Sequence, residues 1–550
     1  MMALSRLSLY FHTLRHLKPV QIWGRLAFKM RAPAPDPAAA PPVRAGAAAW
    51  CRPVRRNQSL LGECRFKFLN VERDIASAED WNAGAAEKLW LYNLHYFDDL
   101  NAIASEERCH WHKDLMGRWL RENPPGVGPG WEPYPISLRV VNWIKWCLGG
   151  NEPSEETRHS LAVQVRFLYH RMEFHLLGNH LLVNAKALLF AGLYFEGEEA
   201  ERWYRRGRKV FADQLEEQVL ADGGHFERSP MYHALTLEDV LDVINVHRAY
   251  GRPVDASWGP RASRMIRWLA VMSHPDGDIA FFNDAAFGTA PSLGDLVEYA
   301  QAIDPAIALP APPGSVLLPE SGFGRIEGSE AVILADVGSV GPSYQPGHAH
   351  AGTLSFELSL FGRRVLVNSG TSVYGTGEER DRQRGTAAHN TVRVDRCDSS
   401  EVWSGFRVAR RARAFAVQFA VKTLSAAHDG YRRLSGRPMH HRRWILEEGH
   451  VEIADELRGD GSHLCETFFH IHPDWSPEIK SDGSCELVSA DGGYRILVQL
   501  DPALTWNLET ATWHPQFGVT ARNHRLTGSR LVGLPTGFTT RLSWSCESSS

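Results

Sequence analysis

The apolar residues of this chain change period once, from the helical 3.6 to the alternating 2. The change falls on a Pro- and Gly-rich junction, LPAPPGSVLLPESG (309–322). No single element satisfies both periods, so the order is helices first and strands second. Upstream, Ile136, Val140, Trp143, Ile144, Cys147 and Leu148 recur along one helical face, as do Leu237, Val240, Leu241 and Ile244. The stretch LLVNAKALLFAGLYF (181–195) is apolar nearly all round, as suits a helix enclosed by others. Helical patterning over 75–305 implies an all-α array, and periodicity leaves bundle, solenoid and toroid equally open. Downstream, Leu354, Phe356, Leu358 and Leu360 alternate with Thr353, Ser355, Glu357 and Ser359. Turns at Phe361-Gly362-Arg363 and Glu448-Gly449 mark hairpins, which implies an antiparallel β-sandwich. The Pro- and Ala-rich run 32–49 reads as a linker. The expected division is 1–50 for an N-terminal segment with linker, 51–310 for the helical domain and 311–550 for the β-domain.

A net charge of −4 does not advertise nucleic-acid binding, and an anionic partner would need a local basic surface. The segment MMALSRLSLYFHTLRHLKPVQIWGRLAFKM is basic and amphipathic, without the continuous apolar stretch of a signal peptide. It suits either a membrane surface or docking onto the protein's own body. No transmembrane run is expected. Eight scattered cysteines without a C-x-x-C pair imply mostly free, buried thiols, a Cys465–Cys485 bridge being left open. The 18 Trp suit pyranose faces as well as cores.

Four clusters carry candidate chemistry. GNHLLVNAK places Asn179 and His180 at the start of the apolar helix, where Asn also serves as a cap. DGGHFERSPMYHALTLED places Tyr232 in a first helical turn after Pro230, near the positive end of the dipole, which favours a phenolate slightly. In YQPGHAHAGTLSFEL, His348 and His350 share one side if the segment is extended, as a metal pair or as a base beside a ligand. RQRGTAAHNTVRVD brings His389 and Asn390 after a loop carrying Arg380, Arg382 and Arg384, whose planar forks suit carboxylate or sulfate.

Together, GNHLLVNAKALLFAGLYF, DGGHFERSPMYHALTLEDVLD, GHAHAGTLSFELSLFGRRVLVNSGT and AAHNTVRVD resemble the heparinase II/III family of polysaccharide lyases, of the bacterial, exopolysaccharide-associated type, over about 80–480. The resemblance implies an incomplete (α/α) toroid followed by a multilayer β-sandwich, with a cleft between them. It implies a catalytic set of Asn179, Tyr232 and His348. His180, Arg139, Arg380 and Arg384 are the expected substrate contacts. It further implies a structural divalent metal, zinc or calcium, on His350, His389 and a third residue. That third position is usually aspartate, and here it is Asn368, a poorer ligand. No organic cofactor is expected. The implied partner is an acidic polysaccharide and the family suggests the cell envelope, although no export signal is visible.

The implied reaction removes the C5 proton of a uronic acid and expels the oxygen on C4. Asn179 would neutralise the carboxylate, with Arg139 or an arginine of 380–384 as helper. Tyr232 would protonate the leaving oxygen, and His348 would act as base when the two groups lie on opposite faces. Two rivals stand beside this reading. A glycoside hydrolase on the same toroid would use two carboxylates among Glu132, Asp222, Glu227 and Asp284. A non-catalytic glycan-binding or assembly factor in exopolysaccharide production would keep only the fold.

Overall fold

The structure, a computed structural model, describes residues 2–30, 33–46 and 49–545. Two N-terminal helices, α1 (Met2–Leu14) and α2 (Pro19–Met30), precede the helical domain. That domain comprises α3 (Lys88–Tyr96), α4 (Cys109–Glu122), α5 (Pro133–Leu148), α6 (Glu155–Arg171), α7 (Gly178–Tyr194), α8 (Glu198–Gln218), α9 (Pro230–Ala249), α10 (Trp258–Val271) and α11 (Leu293–Ile303). Its central member is α7, where every residue except His180 is buried. The all-round apolar sequence follows from this enclosure: α7 packs against α5, α6, α8 and α9. Glycines set the closest of these approaches. A Cβ on Gly192 would lie 2.5 Å from the Tyr204 amide nitrogen, and one on Gly207 would lie 2.8 Å from that of Leu189.

The β-domain has two large antiparallel sheets. One has eight strands, running in spatial order from Ala414–Ala420 through Thr423–His428, Met439–Glu447, His450–Arg458, Thr536–Trp544, Arg495–Gln499 and Cys485–Ser489 to Trp475–Ile479. The other has nine and includes Ser462–Ile471, Arg363–Leu366, Phe356–Leu360, Ala331–Asp336 and Phe323–Glu327 as successive neighbours. Phe356, Leu358, Trp444, Ile453 and Leu542 belong to the shared core between them. Both expected hairpin turns occur, between Leu360 and Arg363 and between Glu447 and His450.

The strand Phe356–Leu360 is buried on both faces, although its sequence alternates. Its polar side chains meet the helical domain: His274, just beyond α10, contacts Glu357 through Nε2 at 2.8 Å and Ser359 through Nδ1 at 2.7 Å. Arg325 on the next strand but one donates to the carbonyls of Val271 and Ser273. A polar second face thus seals the two domains together.

The Pro- and Ala-rich run does not behave as a free linker. Arg44 N donates to the Tyr194 carbonyl and Glu196 N to that of Pro42, both at 2.8 Å, while Arg166 donates to the carbonyls of Ala38 and Ala39. The seven described cysteines are free thiols; Cys465 and Cys485 are buried and the other five only partly so, and Cys546 lies outside the described residues. No described helix is long and apolar enough to cross a membrane.

Candidate active site

The site is built where α7 and α9 start, against loops of the nine-stranded sheet. Ser229 caps α9, its Oγ accepting from Tyr232 N at 3.2 Å, and Pro230 occupies the first turn. This fixes Tyr232 where its ring lies against His348, with centroids 3.8 Å apart and planes 30° apart. The Tyr232 hydroxyl meets that of Tyr374 at 2.9 Å. Phe406 closes the cluster, edge-on to both His348 and Tyr374.

One carboxylate organises this cluster. Asp284, fully buried, accepts from His348 Nδ1 at 2.9 Å and from His350 Nε2 at 2.8 Å, and holds Arg380 in a two-pronged ion pair. Burial opposes ionisation, but the Arg380 guanidinium and the two imidazole hydrogen bonds hold this carboxyl well below its ordinary value. With Nδ1–H of His348 donated to Asp284, Nε2 carries the free lone pair. That nitrogen lies 3.4 Å from Glu227, five residues before Tyr232. Glu227 is buried, and burial raises its pKa against the pull of His348, His180 and the Asn179 backbone amide. Burial likewise pushes the Tyr232 and Tyr374 phenols well above their ordinary value, reinforced for Tyr232 by Tyr374 and for both by the Asp284 charge. The slight phenolate preference expected from the helix dipole is therefore overridden: desolvation keeps Tyr232 a neutral acid.

Asn179 sits in the first turn of α7. It is not the cap, which is Leu177 at φ 64°. Its side chain makes no hydrogen bond within the protein, and its Oδ1 is buried without a partner. His180 contacts Glu173 through Nδ1 at 3.2 Å and packs on Tyr134 at 4.5 Å. Glu173 holds its pKa up against burial. Beside His180 opens a cavity of about 680 Å³ whose walls include Lys88, Tyr92, Trp131, Glu132 and Glu173.

Asn179, Tyr232 and His348 thus converge, with Glu227 as the link between the first and the last. The three expected substrate arginines do not join them. Arg139 is fully buried in α5, over the Trp119 ring, with donors on Gln164 and the carbonyls of His95 and Gly130. Arg380 is spent on Asp284, and Arg384 donates to the Ala349 carbonyl. The segment that carries Arg380, Arg382 and Arg384 is a short helix, α12 (Glu378–Arg384), rather than a loop. Glu227, Asp284 and Tyr374 are the functional neighbours that motif reading assigned no part in this chemistry. Glu227 shares the Tyr232 segment, a signal that was available, whereas nothing local to Asp284 reveals that His348, His350 and Arg380 meet on it.

Two family models match in tandem. "Heparinase II/III N-terminus" covers residues 158–304, and "Heparinase II/III-like, C-terminal" covers residues 310–545. The chain belongs to the heparinase II/III-like family. It is 26% identical to the heparin-sulfate lyase of Bacteroides stercoris over 322 residues, 53% of this chain and 46% of that one. It is 27% identical over 449 residues, 74% of each chain, to FtsZ-localized protein C of Caulobacter vibrioides. The crystal structure of heparan sulfate lyase HepC from Pedobacter heparinus shares its fold, with a TM-score of 0.59 at 18% identity, covering 95% of this chain and 87% of that one. The chain spans about half the length of the lyase from B. stercoris.

The family's metal position fits only in part. His350 and His389 face each other at 5.2 Å between ring centroids. Burial keeps both imidazoles neutral, at a pKa of about 4 for His350, and His350 Nδ1 and both His389 nitrogens are buried without partners. Those orphaned atoms are what a metal would satisfy. The third position does not answer them. Asn368 donates through Nδ2 to the Phe281 carbonyl, and its Oδ1 accepts from Asn390 N at 3.3 Å. Among the described residues no three His, Cys, Asp or Glu gather at ligand spacing. Two imidazoles and a committed neutral amide do not make a closed zinc site.

The raised pKa of Glu227 has a measurable consequence for stability. A carboxyl protonated more readily in the folded state contributes stability that is complete below the ordinary carboxylate pKa and is lost as pH rises through the raised value. Glu227→Gln keeps a neutral group of the same size there. Urea denaturation across a pH series is expected to show the variant gaining on the parent above the ordinary carboxylate pKa; parallel curves would mean Glu227 is ionised in the folded protein.

Proposed function

We propose that the chain is a polysaccharide lyase that cleaves a uronic-acid-containing glycan by β-elimination. The observation that carries this reading is the stacking of a neutral phenol, Tyr232, on an imidazole, His348, whose inner nitrogen is fixed by Asp284 so that the other is free to accept a proton. In this reading the uronosyl carboxylate lies against the free Asn179 amide, a neutral donor that stabilises the enolate-like charge as C5 loses its proton. His348 Nε2 takes the C5 proton when it lies opposite the leaving group. The C4–O bond breaks as a C4–C5 double bond forms, and the leaving oxygen receives the Tyr232 proton. The Tyr374 hydroxyl, 2.9 Å away, positions the Tyr232 hydroxyl. The relatives named as heparin-sulfate lyases support an acidic glycan as substrate.

The hydrolase reading finds less support. Asp284 is saturated by Arg380, His348 and His350, and Glu227 abuts the same imidazole, so these two do not flank a bond from opposite sides. Incubation with heparan sulfate, hyaluronan, alginate, glucuronan and native exopolysaccharide, followed by ultraviolet absorbance of unsaturated ends, tests the proposal. Absorbance rising on at least one glycan is the expected result. Tight binding without any chain shortening would favour the glycan-binding rival.

A further inference from the structure

We propose that α1 and α2 form a docking face for an anionic lipid surface, placed on the rim of the catalytic cleft. Each helix already has a partner on its inner side. On α1, Tyr10 packs edge-on to Trp403 at 4.9 Å, and Ser8 accepts from Arg410. On α2, Phe28 packs on His175 at 4.2 Å and beneath the Arg171 guanidinium, while buried Gln21 donates to the Tyr344 carbonyl. Folding therefore accounts for the inner faces and leaves the outer ones unexplained.

The outer faces are apolar at helical spacing. Leu7, Phe11 and Leu14 of α1 lie at i, i+4 and i+7 and are exposed, Phe11 to 64%. On α2, Ile22, Trp23, Leu26 and Met30 make the same kind of stripe, with Trp23 69% and Met30 70% exposed. Exposed apolar side chains are ordinary when single; two such stripes on consecutive helices mark an interaction surface.

Charge selects the partner. The first acidic residue of the chain is Asp36, and exposed Arg6, Arg15, Arg25 and Lys29 border the stripes, whereas the whole chain is net −4. Among the described residues Arg6, Arg25 and Lys29 form no ion pair, so their charges are not spent within the protein. Apolar stripes bearing Phe on one helix and Trp on the next, edged by lysine and arginine without acids, match the boundary of an anionic bilayer, where apolar burial and attraction to headgroups add. The position gives the contact a use. The hairpin under α1 (Val402–Trp403 and Arg407–Val408) carries Phe406, which touches the His348 ring, and α2 rests on the turn that leads to Asn179. A bilayer held here would meet glycan beside the cleft mouth.

Sedimentation of the full chain with phosphatidylcholine vesicles, with or without one third phosphatidylglycerol, tests the proposal. The parent is expected to partition at least ~10-fold more strongly onto the phosphatidylglycerol vesicles, less so in high salt. The pair Trp23→Glu and Leu26→Glu, and separately Arg25→Glu with Lys29→Glu, should each abolish that difference with unchanged melting curves, since all four side chains are exposed and none makes an ion pair or side-chain hydrogen bond among the described residues. Equal partition onto both vesicles, or none onto either, overturns the proposal. So does a parent that is dimeric in solution and becomes monomeric in the Trp23→Glu, Leu26→Glu pair, because the stripe would then be covered by a second copy.

Discussion

Tyr232→Phe is expected to lower turnover by ~10²–10⁴-fold while the protein melts nearly as the parent does. The substitution removes one hydroxyl from a ring that otherwise stays packed on His348. What is lost structurally is the 2.9 Å contact with Tyr374, about 1 kcal/mol for a net hydrogen bond. What is lost chemically is the only proton that the proposed mechanism delivers to the leaving oxygen. The two effects therefore separate by measurement: initial rates of unsaturated-end formation fall steeply, and the thermal midpoint moves little. A Phe variant with parental rates on a glycan that the parent cleaves would remove Tyr232 from the mechanism.

Asp284→Ala is expected to be the most destabilising single change in the site, by about 3–5 kcal/mol, because it strands the buried Arg380 guanidinium without its counter-charge. It also releases both imidazoles, so His348 loses the bond that fixes its tautomer. Asp284→Asn keeps the volume and part of the bonding. It is expected to fold better than the alanine variant and still to turn over far more slowly than the parent, since a neutral amide does not balance Arg380 and can turn a donor rather than an acceptor toward His348 Nδ1. Chemical denaturation read beside activity checks both halves. An alanine variant as stable as the parent would contradict the role given to Asp284 as the charge on which the cluster is assembled.

The sequence was legible where local pattern and tertiary surroundings agree. The change of period at 309–322 separates helices from strands because each period reports one face buried, and Leu293–Ile303 and Phe323–Glu327 stand on either side of it. Tyr232 falls in the first turn of α9 because Ser229 and Pro230 are start signals independent of anything distant. His348 and His350 converge for a reason the sequence did not carry. Their segment is irregular, not a strand, and both rings reach one carboxylate from the helical domain. The arginines show the opposite case. Guanidinium groups at 139, 380 and 384 look free for substrate until the backbone carbonyls and the carboxylate that hold them are known. Alternation along Phe356–Leu360 likewise says which residues face the sandwich core and is silent on His274, which buries the other face.

The central claim is that the glycosidic bond is broken by elimination, without water. Digestion of a cleaved glycan in oxygen-18 water, followed by mass spectrometry of the fragments, tests it directly. Fragments whose masses sum to that of the parent oligosaccharide, with unsaturated ends and no oxygen-18 at the cleavage site, are the predicted result. Fragments heavier in sum by one labelled water, with saturated ends, would contradict it.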